Sequence, residues 1–184
     1  YGVFEDTLRT DNEYQVLLNF DPAKLKPYER TLNQENPHRS GPDSCDHKYF
    51  VRTGNTAYGI QNLAYDPYTG DWFAAVYRGH KHQNPNYSLF AIDGSKAPVM
   101  QQLEGFDTPT RGELLTLSEQ GECDAKTGIR GWQGDYGTTG FCPLGCGYYY
   151  ISHPDGGEGG KHQSSMVKLY KWTGDPKHPF ELVK

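Results

Sequence analysis

One short stretch constrains this chain more than any other: Tyr65-Asp-Pro-Tyr-Thr-Gly70, set between two apolar runs. Asp66 can accept hydrogen bonds from the backbone N–H groups that follow it. Pro67 presets φ, and Gly70 supplies the φ > 0 position of a hairpin with a bulge. Upstream, residues 59–65 (GIQNLAY) mix apolar and polar positions as a half-buried strand does. Downstream, residues 71–77 (DWFAAVY) form a nearly continuous apolar run. Such a run also suits a buried helix segment, but its length and the turn residues at both ends decide for strand. A loop over 78–86 leads to a third run, residues 87–92 (YSLFAI), closed by Asp93-Gly94. The pattern predicts three strands pairing in order as an antiparallel meander.

The rest of the chain repeats this grammar. Residues 13–20 (EYQVLLNF) and 48–52 (KYFVR) are strand candidates, the second turned by Thr53-Gly54-Asn55-Thr56. Between them, residues 21–47 read as an irregular polar loop with Pro22, Pro27, Pro37 and Pro42. A connection of that length inside a compact domain usually carries function. Lys81-His-Gln83 recurs as Lys161-His-Gln163, an offset of 80 that also lays Leu89 on Leu169, Phe90 on Tyr170, Ile92 on Trp172 and Gly94 on Gly174. Upstream, Gly59-Ile-Gln-Asn-Leu63 resembles Gly140-Phe-Cys-Pro-Leu144, with residues 148–153 as the return strand. Two units follow, about 48–98 and 127–184, within a single all-β domain or a fragment of a larger array.

Composition agrees with that class. The 22 Gly and 12 Pro punctuate many short strands, while 14 Tyr, 8 Phe and 3 Trp supply core area that a modest aliphatic content does not. The Tyr65–Gly70 hairpin followed by an aromatic strand resembles a β-propeller blade of the secreted bacterial kind, over residues 48–184. A blade of this type takes roughly 40–50 residues, so the resemblance implies about four blades here, with a further chain segment or partner completing the ring. The competing architecture is a β-sandwich, which the same strand spacing permits.

Charge and cysteines narrow the partners. The formal charge is −5, from 18 basic and 23 acidic residues, and the basic ones form no stripe, which argues against nucleic acid. No apolar run approaches the ~20 residues of a membrane-spanning helix. The start, Tyr1-Gly-Val-Phe-Glu-Asp6, has no leader-like pattern and no initiator Met, as in a trimmed or mature chain. Four cysteines, Cys45, Cys123, Cys142 and Cys146, lean toward disulfides in an oxidising compartment, with free buried thiols or zinc as rivals. The expectation is a secreted or extracellular protein, or a periplasmic one.

Several side chains could carry function. His38, Asp43, Asp46 and His47 crowd one loop, where imidazole and carboxylate suit metal binding or acid–base work. His80 and His82 lie on one side of an extended segment, so both could reach a divalent metal ion, with His162 beside them in the second unit. Arg52, Asn55, Gln61, Asn62, Arg78, His82 and His162 form a candidate ligand-binding set: amides bond hydroxyls and guanidinium holds carboxylates. For catalysis, the candidates are His47 or His80 as base, Arg78 as carboxylate clamp and Tyr58 as acid. No nucleophile elbow, phosphate loop, His-Glu-x-x-His or dinucleotide fingerprint occurs. The expected function is binding or processing of a carbohydrate-like ligand at rim loops. The other class is a non-catalytic protein-interaction module.

Overall fold

A computed structural model describes residues 6–35, 37, 40–54, 58–155 and 164–184. In chain order the strands are β1 (Tyr14–Asn19), β2 (His47–Arg52), β3 (Ile60–Asp66), β4 (Asp71–Val76), β5 (Leu89–Asp93), β6 (Val99–Leu103) and β7 (Thr110–Leu114). They continue as β8 (Glu122–Cys123), β9 (Arg130–Gly131), β10 (Gly140–Pro143), β11 (Tyr148–Asp155), β12 (Ser164–Trp172) and β13 (Phe180–Leu182). The fold is all-β. A first sheet has the order β1-β2-β7-β6, a second β3-β4-β5 and a third β10-β11-β12-β13, while β8 and β9 form a small ribbon. All pairings are antiparallel except β2 with β7, which is parallel.

The meander read from the hairpin is present. Residues of β3 pair with β4 from Ile60↔Val76 to Asp66↔Asp71, and β4 pairs with β5 from Asp71↔Asp93 to Ala75↔Leu89. The turn between them closes as its residues dictate. Gly70, at φ +79°, donates its N–H to the Asp66 carbonyl at 2.8 Å. The Asp66 carboxyl accepts from Tyr68 N at 3.1 Å, Thr69 N at 3.2 Å and Thr69 Oγ1 at 3.0 Å. The same device appears again at Asp124-Ala-Lys-Thr-Gly128, which joins β8 to β9. There Gly128 N donates to the Asp124 carbonyl at 2.8 Å, and Thr127 N and Oγ1 reach the carboxyl at 2.8 and 2.6 Å.

Strands β4 and β5 are apolar on both faces because a neighbouring sheet covers each face, with Trp72 alone of their apolar residues half exposed. Phe73, Ala75, Leu89 and Ala91 pack against Phe141, Tyr149, Ile151 and Phe180 of the third sheet. Ala74, Val76, Phe90 and Ile92 pack against Val51 and Leu17 of the first. The three sheets therefore stack face to face with β3–β5 in the middle. Phe73 touches five other aromatic rings at centroid distances of 5.4–6.4 Å, and truncating a residue so placed costs about 3–5 kcal/mol.

Three expectations need correcting. The unit drawn from residue 48 is divided, because β2 pairs with β1 and β7 and the second sheet starts at Ile60. The loop over 21–47 is not wholly irregular: Asp21 accepts from Ala23 N at 2.9 Å and caps a single helical turn, α1 (Pro22–Leu25), which runs into a 3-10 turn over Lys26–Tyr28. The expected disulfides are not formed, since all four cysteines are free, Cys123, Cys142 and Cys146 of them exposed. Among the described residues no helix is long and apolar enough to cross a membrane.

Candidate functional site

A cleft of about 640 Å³ opens between the second and third sheets, where β3 and β10 begin and β4 and β11 end. Tyr58, Tyr77, Arg78, Gln133, Asp135 and Thr138 line it. Strand alternation explains part of this. Val76 is the last buried residue of β4, so Tyr77 and Arg78 emerge past the strand end, with Tyr77 left 44% exposed. Its ring meets the Tyr58 ring edge-on, with centroids 5.7 Å apart.

The opposite wall is a turn-rich segment pinned by part-buried hydrogen bonds. Asn62 Nδ2 donates to the Gly137 carbonyl at 2.5 Å. Ser88 Oγ donates to the Gly134 carbonyl at 2.5 Å, and Gln133 Nε2 donates to the Pro85 carbonyl at 2.7 Å. On the near wall, Gln15 Nε2 donates to the Tyr58 carbonyl at 3.1 Å. The walls are thus braced from behind by side chains of β1 and β3, while Arg78 and Asp135 stay exposed. Neither of those two forms an ion pair among the described residues.

Behind this wall, Tyr170 and His153 share a hydrogen bond, Oη to Nε2, at 2.9 Å. Burial pushes the His153 pKa down and Lys168 adds to that, while the charge on Asp135 opposes it. Burial likewise pushes the Tyr170 hydroxyl up. The pair is therefore neutral near pH 7, a hydrogen-bonded prop rather than a charged one.

The candidates read from sequence are scattered by the fold. Tyr58 and Arg78 reach the cleft, and Asn62 stands behind it. Gln61 is exposed and donates to its neighbour's carbonyl, Gly59 O, at 3.1 Å. Arg52 is tied to Glu104 at 2.7 Å on the first sheet, away from the cleft. His47 is also on the first sheet, stacked on Tyr49 with centroids 5.5 Å apart and with Nδ1 3.3 Å from Glu113. Asp46, its neighbour in the polar loop, is held by Lys24 and by Asp21 N, and the Lys24 hydrogen bond keeps its carboxyl below the usual range. Asp46 thus ties the two ends of the loop together, and Asp43 is exposed. His38, Asn55 and His162 lie outside the described residues.

His80 and His82 are exposed on the β4–β5 loop, and neither is among the residues that line the cleft with Arg78. The residue between them behaves differently: Lys81 is fully buried. Its Nζ donates to Asn12 Oδ1 at 2.6 Å and the Arg9 carbonyl at 2.5 Å, and stands 3.6 Å from Glu13. Asn86, at φ +54°, bonds both the N–H and the carbonyl of Lys81 and fixes the loop. Among the described residues no group of three or more His, Cys, Asp or Glu side chains could hold a metal ion.

Sequence reasoning missed Gln133, Asp135 and Thr138. The available signal was the Gln133-Gly-Asp-Tyr-Gly-Thr-Thr139 run, where glycines alternate with polar side chains just before a strand, as in loops that present groups to ligands. In comparisons with protein-family models, curated proteins and solved structures, nothing matches this chain.

Proposed function

We propose that the chain is a run of β-propeller blades whose cleft at Tyr58, Tyr77, Arg78 and Asp135 binds an acidic carbohydrate. The observation that carries the ligand class is the pair of unpaired opposite charges beside the exposed Tyr77 ring in one open cleft. Arg78 suits the carboxylate of a uronic sugar, Asp135 accepts from paired hydroxyls, and the Tyr77 ring offers a flat apolar surface to a sugar face. Binding rather than catalysis is the role these groups fill.

The propeller reading is supported by how the sheets face. Under the offset of 80, Leu89 corresponds to Leu169 and Phe90 to Tyr170. Leu89 faces the third sheet, whereas Leu169 pairs with the exposed Tyr150 on the side of the third sheet turned away from the second. Phe90 faces the first sheet, and Tyr170 packs toward the second. Equivalent residues thus point the same way along the stack, as in radial repetition, and not toward each other, as in a two-sheet sandwich. First strands also gather on one side, with Gln15 of β1 reaching Tyr58 and Asn62 of β3 reaching Gly137. Further sheets, from the same polypeptide or a partner, would cover the outer faces bearing Tyr150 and Val167 at one end and Val99 at the other. A ligand of this class is met outside the cell, so we place the protein in an extracellular or periplasmic setting. The free thiols lend that placement no support.

Titration calorimetry with oligosaccharides of glucuronic or galacturonic acid, against neutral oligosaccharides of the same length, tests the ligand. Arg78→Ala should weaken uronate binding by about tenfold or more, since a charge-assisted pair is lost, and leave the melting temperature unchanged. Equal affinity of wild type and variant, or no uronate binding at all, would refute the assignment.

A further inference from the structure

The outer edge of the first sheet differs from the other sheet edges. Strand β6 pairs only with β7, in an unbroken register from Val99↔Leu114 to Leu103↔Thr110. Its other side is open among the described residues, and four of its five residues, Val99, Met100, Gln101 and Gln102, are exposed. Edge strands are ordinarily guarded by charge, proline, a bulge or shortness. The sequence Val-Met-Gln-Gln-Leu has no charge and no proline, and its ladder has no bulge.

Elsewhere the edges are protected. Strand β3 has a register shift at Ile60/Asn62 and a side-chain tie to Gly137. Strand β10 has four residues and ends in Pro143, and β13 has three with Glu181 at its centre. Strand β1 also lacks charge and proline, but it begins with buried Tyr14 and Gln15, where four of the five β6 residues are exposed.

We infer that β6 pairs with β6 of a second copy of this chain, antiparallel about a two-fold axis through Gln101, joining two four-stranded sheets into one. In that register Val99 opposes Leu103, Met100 opposes Gln102 and Gln101 opposes itself, so no charged side chain opposes a like one. Lys96, in the turn before the strand, and Glu104, just after it, carry opposite signs, so the flanks of the pair add no run of like charge. Cross-strand pairs of this kind are what stabilises a sheet, and like charges directly opposite weaken it. Ten residues of paired strand bury less than the ~1,200 Å² of a standard stable interface, so the dimer is weak and depends on concentration. The inference is independent of the ligand assignment.

Sedimentation equilibrium provides the test. The wild-type mass should climb from 20.8 kDa toward twice that value as concentration rises. Gln101→Lys and Gln101→Glu each place like charges on the axis and should weaken self-association by about tenfold or more, with melting temperatures unchanged because the position is exposed. An equimolar mixture of the two variants should associate at least as well as wild type. A wild-type protein that stays monomeric at every concentration, variants that dimerise like wild type, or a mixture that stays monomeric would each overturn the pairing.

Discussion

The turns at residues 66–70 and 124–128 are built from the same letters, Asp-x-x-Thr-Gly, and the same hydrogen bonds, yet they occupy different worlds. In both, the aspartate carboxyl gathers the threonine N–H and hydroxyl, and the glycine N–H returns to the aspartate carbonyl. Asp66 is fully buried and receives in addition the Tyr149 hydroxyl at 2.5 Å, from a strand of the next sheet. Asp124 is partly exposed, receives no such bond and sits at the end of a two-strand ribbon. Its carboxyl is held below the usual range chiefly by the Thr127 hydroxyl. Local turn chemistry therefore makes the hairpin, while burial turns one copy of it into a bolt between sheets.

Substitutions should separate those two roles. Asp66→Ala removes the acceptor for the turn and leaves a buried tyrosine hydroxyl without a partner. Urea unfolding should show a loss on the order of 3–5 kcal/mol, against about 1 kcal/mol for Asp124→Ala. Equal losses would mean that the Tyr149 link adds nothing. Tyr149→Phe keeps the turn and deletes only the link, so we expect a loss of about 1–2 kcal/mol. A double-mutant cycle with Asp66→Ala should be strongly non-additive.

Gly70→Ala and Gly128→Ala provide the control. Both glycines have positive φ, +79° and +72°, and open space where a Cβ would go. Each should cost about 1 kcal/mol from backbone strain alone, and by the same amount in the two turns. A much larger loss at Gly70 would show that the turns differ in backbone as well as in burial.

The smallest effect concerns the sheet to which Asp66 is bolted. His153 has its folded pKa lowered from 6.5 by burial. The folded state thus favours the neutral ring. Its contribution is fully present above the unfolded value and is lost as pH falls from there through the folded value. Melting temperature should drop modestly between about pH 7 and pH 5, and the drop should shrink in His153→Phe. A histidine NMR titration placing His153 above 6.5 would contradict the burial argument.

What was readable in the sequence follows from distance along the chain. Strands β3, β4 and β5 were legible within a residue or two because each is bounded by its own turn residues, and the same holds for β10 and β11. The return of β7 to pair with β2, in parallel and some sixty residues later, has no local signature, since nothing in Thr110–Leu114 names its partner. The second Asp-x-x-Thr-Gly copy was in plain sight at an offset of 58, but the flanking strands, two residues each, are too short to register as periodicity. For the site, Tyr58 and Arg78 were legible because they abut a strand end. Asp135 was not, because only tertiary packing brings its loop opposite them. Histidines attracted attention by chemistry alone, and the fold sent His47 to another sheet and left His80 and His82 facing solvent.

Lys81, which lies between those two histidines in the chain, turns a loop into a clock. Its amine is enclosed by Arg9, Asn12 and Glu13, so the strand-linking loop and the segment ahead of β1 come apart together or not at all. An acylating reagent would mark the exposed lysines at once and pass over this one. Trypsin would likewise find the bond after Arg78 before the bond after Lys81. The slow labelling of this single amine therefore times how often residues 9–13 lift away from the body of the protein.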